Sequence, residues 1–190
     1  MLTSNKIKFL LKTFIISIII VGIFTIKSSA MVRPTNQFYV NDYANLLSTE
    51  TKNYIINTNI SLNSKTGAQI VVVTVQNLEG RALEEYATAL FREFGIGDKN
   101  KNNGVLLLLA LEERQFRVEV GYGLEGTLTD GKTGRIQDEY IIPYLKQNDW
   151  NEGIKNGFSA ILKEVEKEYN IDVGSEEAVA SPYSEEDEDI

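Results

Sequence analysis

Gly104-Val-Leu-Leu-Leu-Leu-Ala-Leu-Glu-Glu-Arg-Gln-Phe-Arg-Val-Glu-Val120 is the stretch whose reading decides the fold. Val105 to Leu111 is an unbroken apolar run, the pattern of a strand buried on both faces. Glu112 and Glu113 turn the chain. Beyond them Phe116, Val118 and Val120 alternate with Arg117 and Glu119, the period-2 pattern of a half-exposed strand returning antiparallel. Upstream, Ala68 to Val75 repeats the buried type with Ile70, Val71, Val72, Val73 and Val75. Between the two buried runs, Leu83, Tyr86, Ala87, Leu90, Phe91 and Phe94 recur at helical spacing. They predict an amphipathic helix over residues 82 to 94, stopped by Gly95 and Gly97. Strand, helix, strand asks for a right-handed crossover that sets the buried strands parallel.

Working outward, Ser48 reads as the N-cap of a helix to about Ser64, preceded by an irregular or extended leader over 31 to 47. Thr129 or Asp130 can cap a helix that Pro143 interrupts, and Ile154, Phe158, Ile161, Leu162, Val165 and Tyr169 mark a last amphipathic helix. The expected class is α/β: helices on a small mixed sheet with two central parallel strands and an antiparallel hairpin strand.

Composition removes whole classes of chemistry. The 190 residues include neither cysteine nor histidine. Disulfides, thiolate nucleophiles, Cys-based zinc sites and every imidazole-dependent relay are therefore excluded. Carboxylates, lysine and hard cations held by oxygen remain. With 27 acidic against 19 basic residues and a formal net charge of −8, nucleic-acid binding is not expected.

Lys6, Lys8 and Lys12 precede a mostly apolar run from Phe14 to Ile26, and Ser28, Ser29 and Ala30 follow. Residues 1 to 30 thus read as a signal peptide, or as a membrane anchor if they are not cleaved. Either way the domain, expected over 31 to 171, is exported, secreted or membrane-anchored, to a compartment with little nucleotide and no expected nicotinamide or flavin partner. Residues 172 to 190, ending in Glu185, Glu186, Asp187, Glu188 and Asp189, read as an acidic disordered tail.

Three literal motif matches need weighing. Gly121, Gly123 and Gly126 spell the dinucleotide fingerprint, but after a hairpin strand rather than the first strand of a βαβ unit, so turn glycines are the expectation. Residues 126 to 133 match the phosphate-cradling loop G-x-x-x-x-G-K-T, again without the buried parallel strand that should precede it. Asp98, Asn100 and Asn102 begin like a calcium loop, but Asn103 stands at its glycine position and Leu109 at its glutamate position.

Topology makes a better proposal. The loop from Asp98 to Gly104 and the loop from Gly121 to Asp130 should reach the same edge of the sheet. Asn103, Glu125 and Asp130, with Asp98 and backbone carbonyls, could there hold a calcium or magnesium ion. The alternative is that Asp130 caps the next helix and Glu125 is a solvated charge. Trp150 reads as a packing residue, and Tyr122, between glycines, as a pocket or rim aromatic.

Taken in order, Val40, Asp42, Leu46, Leu47 and Ser48; Gly67 to Val71; Gly95, Ile96, Gly97, Asn103 to Leu106; Val118 to Gly126; Leu128 to Asp130; Gly134 to Ile136; Ile142, Pro143, Gly153 and Ile154 closely resemble the TPM domain over about 38 to 169. The resemblance implies a three-layer α/β/α sandwich. It implies roles shared by exported bacterial proteins, a thylakoid-lumen protein of photosystem repair and a receptor accessory subunit: upkeep of membrane or envelope protein complexes. It further implies calcium binding and a weak acid-phosphatase activity, with the family's signature acids on Asp42, Glu125 and Asp130. Asp42 joins the metal set on that ground alone. The leading expectation is a calcium-binding interaction module. A metal-dependent phosphatase centred on Asp130 is the alternative, and a nucleotide binder through 126 to 133 a distant third. Oligomeric state is not legible in the sequence.

Overall fold

The computed structural model describes residues 31–180; residues 1–30, expected to be a signal peptide or anchor, and the acidic run from Glu185 to Asp189 lie outside the described residues. Four strands form one sheet in the order β1 (Val40–Asp42), β2 (Gln69–Val75), β3 (Gly104–Ala110) and β4 (Gln115–Val120). Five α-helices surround it: α1 (Thr49–Thr66), α2 (Leu83–Phe94), α3 (Asp130–Tyr140), α4 (Ile142–Lys146) and α5 (Trp150–Tyr169). No helix among the described residues is long and apolar enough to cross a membrane.

β2 and β3 run parallel, with Ile70 opposite Val105 and Val75 opposite Ala110, and β4 returns antiparallel with Val105 opposite Val120. All seven residues of β3 are buried, as its apolar run demands. The leader, expected to be irregular or extended, is extended at Val40–Asp42 and supplies β1, which adds parallel to β2 with Val40 opposite Val72 and Asp42 opposite Thr74. Three residues are too few to show a period, which is why the sequence hides this strand.

Alternation sorts the side chains into two cores. Val40, Ile70, Val72, Val105, Leu107, Leu109 and Phe116 share one core with Ile55 and Leu62 of α1, Ile136 of α3, and Ile154, Phe158, Ile161 and Val165 of α5. The intervening positions Val71, Val73, Leu106 and Leu108 are equally buried and face the other way, toward Tyr86, Ala87, Leu90 and Phe94 of α2. The result is the three-layer α/β/α sandwich. Since β1, β2 and β3 are added in one direction while α1 and α2 cover opposite faces, the two crossovers have opposite hands. One therefore departs from the right-handed rule applied to the sequence.

Helix ends follow their residues. Ser48 accepts from Thr51 N–H at the start of α1, and Gly67 and Gly95 end α1 and α2 at φ of 80° and 62°. α3 stops at Ile141 and Pro143 opens α4, the interruption expected from Pro143. The hairpin between β3 and β4 closes through a four-residue loop, Leu111 to Arg114, in which Arg114 takes φ of 53°.

Residues 172–180 are the described part of the segment expected to be an acidic tail. They form a strap along α1 and α5. Val173 N–H and Ser175 Oγ donate to the Glu166 carboxylate at 2.7 Å each. Glu176 N–H donates to Tyr54 Oη, and Val179 N–H to Asn156 Oδ1. Val173 and Ala178 pack against the main core.

Candidate functional site

The expected convergence of two loops at one sheet edge is real, but backbone rather than side-chain ligands fills the meeting point. Gly121 N–H donates to Gly104 C=O at 2.8 Å and Gly123 N–H to Asn102 C=O at 3.0 Å. A Cβ on Gly121 or Gly123 would overlap the carbonyl oxygens of Asn102 and Lys101. Gly121 and Gly123 are required by close backbone approach, whereas Gly126 has open space around it, so two of the three fingerprint glycines serve packing.

Of the five residues expected to hold a metal, the structure brings only Glu125 and Asp130 together. Asn103 is fully buried and committed: Oδ1 accepts from Asp98 N–H at 3.0 Å, and Nδ2 donates to Tyr169 Oη at 2.8 Å. The Asp98 carboxylate folds its own loop, accepting from the N–H groups of Asn100 and Lys101, which hold the carboxyl below its usual range.

Asp42 stands at the opposite end of the sheet, beside Thr74 near the end of β2, whereas Asn103 precedes β3. Its carboxylate is 3% exposed and fully engaged. It accepts from Thr74 Oγ1 at 2.6 Å, from the N–H groups of Leu46 and Leu47 at 2.9 and 3.1 Å, and pairs with Lys52 at 2.7 Å. Burial by itself would raise the Asp42 carboxyl, but these donors together outweigh it and leave the group below its ordinary value. Asp42 is an internal acceptor that ties β1, β2 and α1. Among the described residues no group of three or more acids is placed to hold a metal ion.

Glu125 and Asp130 line one cleft of about 470 Å³ with Arg117, Val118, Glu119, Val120, Leu128, Thr129 and Thr133. Its near wall is the open side of β4 and its far wall the segment leading into α3. Arg117 and Glu119, which sequence reasoning left as surface charges, pair with each other at 2.8 Å, and Glu119 also accepts from Thr88 Oγ1 of α2. The carboxylates of Glu125 and Asp130 meet no partner among the described residues. Thr129 is the N-cap of α3, yet its hydroxyl makes no capping bond, and Asp130 lies inside the first turn rather than at the cap. Three oxygen-bearing side chains in the cleft are thus uncommitted. Tyr122 is 80% exposed and lines no part of the cleft.

The phosphate-loop match dissolves in the same region. The N–H groups of Lys132 and Thr133 both bond to Thr129 C=O as the start of α3, and the Thr133 hydroxyl turns to the carbonyls of Thr129 and Asp130. Lys132 reaches Glu164 of α5 across a second groove of about 270 Å³, lined also by Arg135, Glu139, Lys163 and Lys167. Burial pushes the Glu164 carboxyl up, but Lys132 and Lys167 more than offset it and hold it below its usual value.

Comparison with known proteins agrees with this architecture. The N-terminal domain of a Porphyromonas gingivalis protein, solved in solution, is 32% identical, with a TM-score of 0.64 over 70% of this chain and 85% of that one. A protein of the psychrophilic bacterium Bizionia argentinensis is 20% identical, with a TM-score of 0.54 over 65% of this chain and 83% of that one. The N-terminal domain of a Corynebacterium glutamicum protein is 19% identical, with a TM-score of 0.52 over 82% of this chain and 94% of that one. The last two are likenesses of fold alone. No curated protein matches the sequence. The profile of the TPM domain matches residues 40–164, and together with the ordered motifs and the three-layer sheet this places the chain as a member of the TPM domain family.

Proposed function

We propose that this TPM domain is a non-enzymatic recognition module for membrane or envelope proteins outside the cytoplasm, and that its acidic cleft takes a divalent cation, calcium first. One observation carries the reading: Glu125 and Asp130 face a common cleft with no cationic partner, and the Thr129 hydroxyl beside them is also free. All three side chains are exposed, so a cation here would be held by carboxylate and hydroxyl oxygens at the surface rather than by relief of a buried charge. Two carboxylates, a hydroxyl and backbone carbonyls leave the rest of a calcium shell to water, which suits a weak extracellular-type site of roughly 10⁻⁴ to 10⁻³ M. The wider five-residue set is not proposed, because Asp42, Asn103 and Asp98 are spent on internal bonds.

Thermal unfolding in EDTA, calcium or magnesium tests the reading. A cation that binds only the folded state at a hundred times its dissociation constant adds about 2.7 kcal/mol. The expected result is a calcium-dependent rise in midpoint that Glu125→Gln and Asp130→Asn each remove without changing the midpoint in EDTA. No rise in the wild type overturns the cation site. Hydrolysis of a phosphomonoester that needs the ion and disappears in Asp130→Asn would replace the module with an enzyme.

A further inference from the structure

β4 is an edge strand, and its hydrogen-bonding parity can be read from one bond. Gly121 N–H donates to Gly104 C=O, so the Gly104–Gly121 pair is hydrogen-bonded. Antiparallel alternation then makes Leu106–Glu119, Leu108–Arg117 and Ala110–Gln115 the other bonded pairs. Phe116, Val118 and Val120 consequently turn their N–H and C=O groups away from β3, and none of the six finds a partner among the described residues. Such a row of unpaired groups is a template for another strand. Natural edges are blunted by proline, a bulge or a covering element. β4 has no proline and pairs with β3 without interruption, and the space beside it is the acidic cleft.

We infer that the open side of β4 receives an extended basic peptide segment of a partner protein as a fifth strand. Main-chain bonds to Phe116, Val118 and Val120 supply the attachment. The partner's lysine or arginine side chains meet Glu125 and Asp130, the two acids of the cleft left unpaired after Arg117 and Glu119 neutralise each other. A second copy of this chain is the poorer occupant, since pairing β4 with β4 brings like-charged clefts together. The inference rests on the cleft being a recognition surface, and not on the cation.

The experiment is amide hydrogen exchange on the ¹⁵N-labelled full chain with a peptide of alternating lysine and valine. Before addition, the amides of Phe116, Val118 and Val120 exchange fast while those of Arg117 and Glu119 are slow. Peptide slows the first three by at least about tenfold. Val118→Pro removes one outward N–H without touching a β3 bond and abolishes binding. Glu125→Gln with Asp130→Asn weakens binding about tenfold, and a peptide with glutamate in place of lysine does not bind. Peptide binding that leaves 116, 118 and 120 fast, or that survives Val118→Pro, overturns the inference. So does protection that rises with protein concentration alone, which identifies a second copy. Calcium stabilisation without edge protection leaves the cation reading and sinks this one; edge protection without calcium stabilisation does the reverse.

Discussion

Removing the Asp42 carboxylate separates a ligand from an internal strut. As a strut it satisfies four donors: the Thr74 hydroxyl, the N–H groups of Leu46 and Leu47, and the Lys52 ammonium. Hydrogen bonds to a charged group are worth about 1.5–3 kcal/mol each, and breaking a buried ion pair from one side costs about 3–5 kcal/mol. Lys52 and the loop amides regain some water, so Asp42→Ala should lose about 4 kcal/mol. That corresponds to roughly 12 °C in melting midpoint, or about 2 M in urea midpoint at unchanged slope. Asp42→Asn keeps an oxygen for Thr74 and Leu46 but turns an NH₂ toward Leu47 N–H and Lys52, and should lose about 3 kcal/mol. pH gives a second readout. A carboxyl held below its ordinary 3.8 in the fold contributes stability above that value, and the contribution drains away as pH falls through the lower folded-state value. Wild type and Asp42→Asn should therefore converge in stability below about pH 4. A loss under about 1 kcal/mol, accompanied by lost calcium binding, would refute the strut and restore Asp42 as a ligand.

Gly123→Ala drives a Cβ into the Lys101 carbonyl, where only backbone movement relieves the overlap, and should cost more than about 3 kcal/mol by urea unfolding. Arg114→Ala loses bonds to Asn148 Oδ1 and Leu145 C=O at 2.8 and 3.0 Å and a guanidinium 5.1 Å from the Trp150 ring centroid. A loss of about 1–2 kcal/mol and a shifted Trp150 emission are expected. Glu166→Ala releases Val173 N–H and Ser175 Oγ, so limited proteolysis should begin within residues 172–180 while the sheet amides stay protected.

Much of the fold was legible where local pattern and final environment coincide. β3 is apolar throughout and β2 is apolar but for Gln69 and Thr74 because both faces are covered, β4 alternates because its Arg117 and Glu119 flank α2, and α2 and α5 carry their apolar stripes openly. β1 was not legible, since Val40–Asp42 becomes a strand only through its neighbour β2. The internal bonds of Asp42 and Asn103 were hidden for a related reason. Whether a carboxylate or amide is free depends on residues far along the chain: Thr74 and Lys52 for Asp42, Tyr169 for Asn103. That Glu125 and Asp130 share one edge could be expected because both follow β4 before the next helix, where topology fixes the edge they reach. The anchoring of 172–180 was hidden because Glu166, Tyr54 and Asn156, polar residues on helices, do the holding.

That strap also decides how the domain bears a mechanical load. Its contacts are strung in series along α5 and α1, from Asn156 and Tyr54 back to Glu166, rather than side by side. Tension applied beyond residue 180 meets them a few at a time, as a zipper does: Val179 on Asn156, then Glu176 held by both Tyr54 and Lys155, then Ser175 and Val173 on Glu166. The strap can pay out most of its nine residues, roughly 30 Å of slack, before any pull reaches the end of α5. Tugging on that side lengthens the chain while leaving the sheet and its acidic cleft intact.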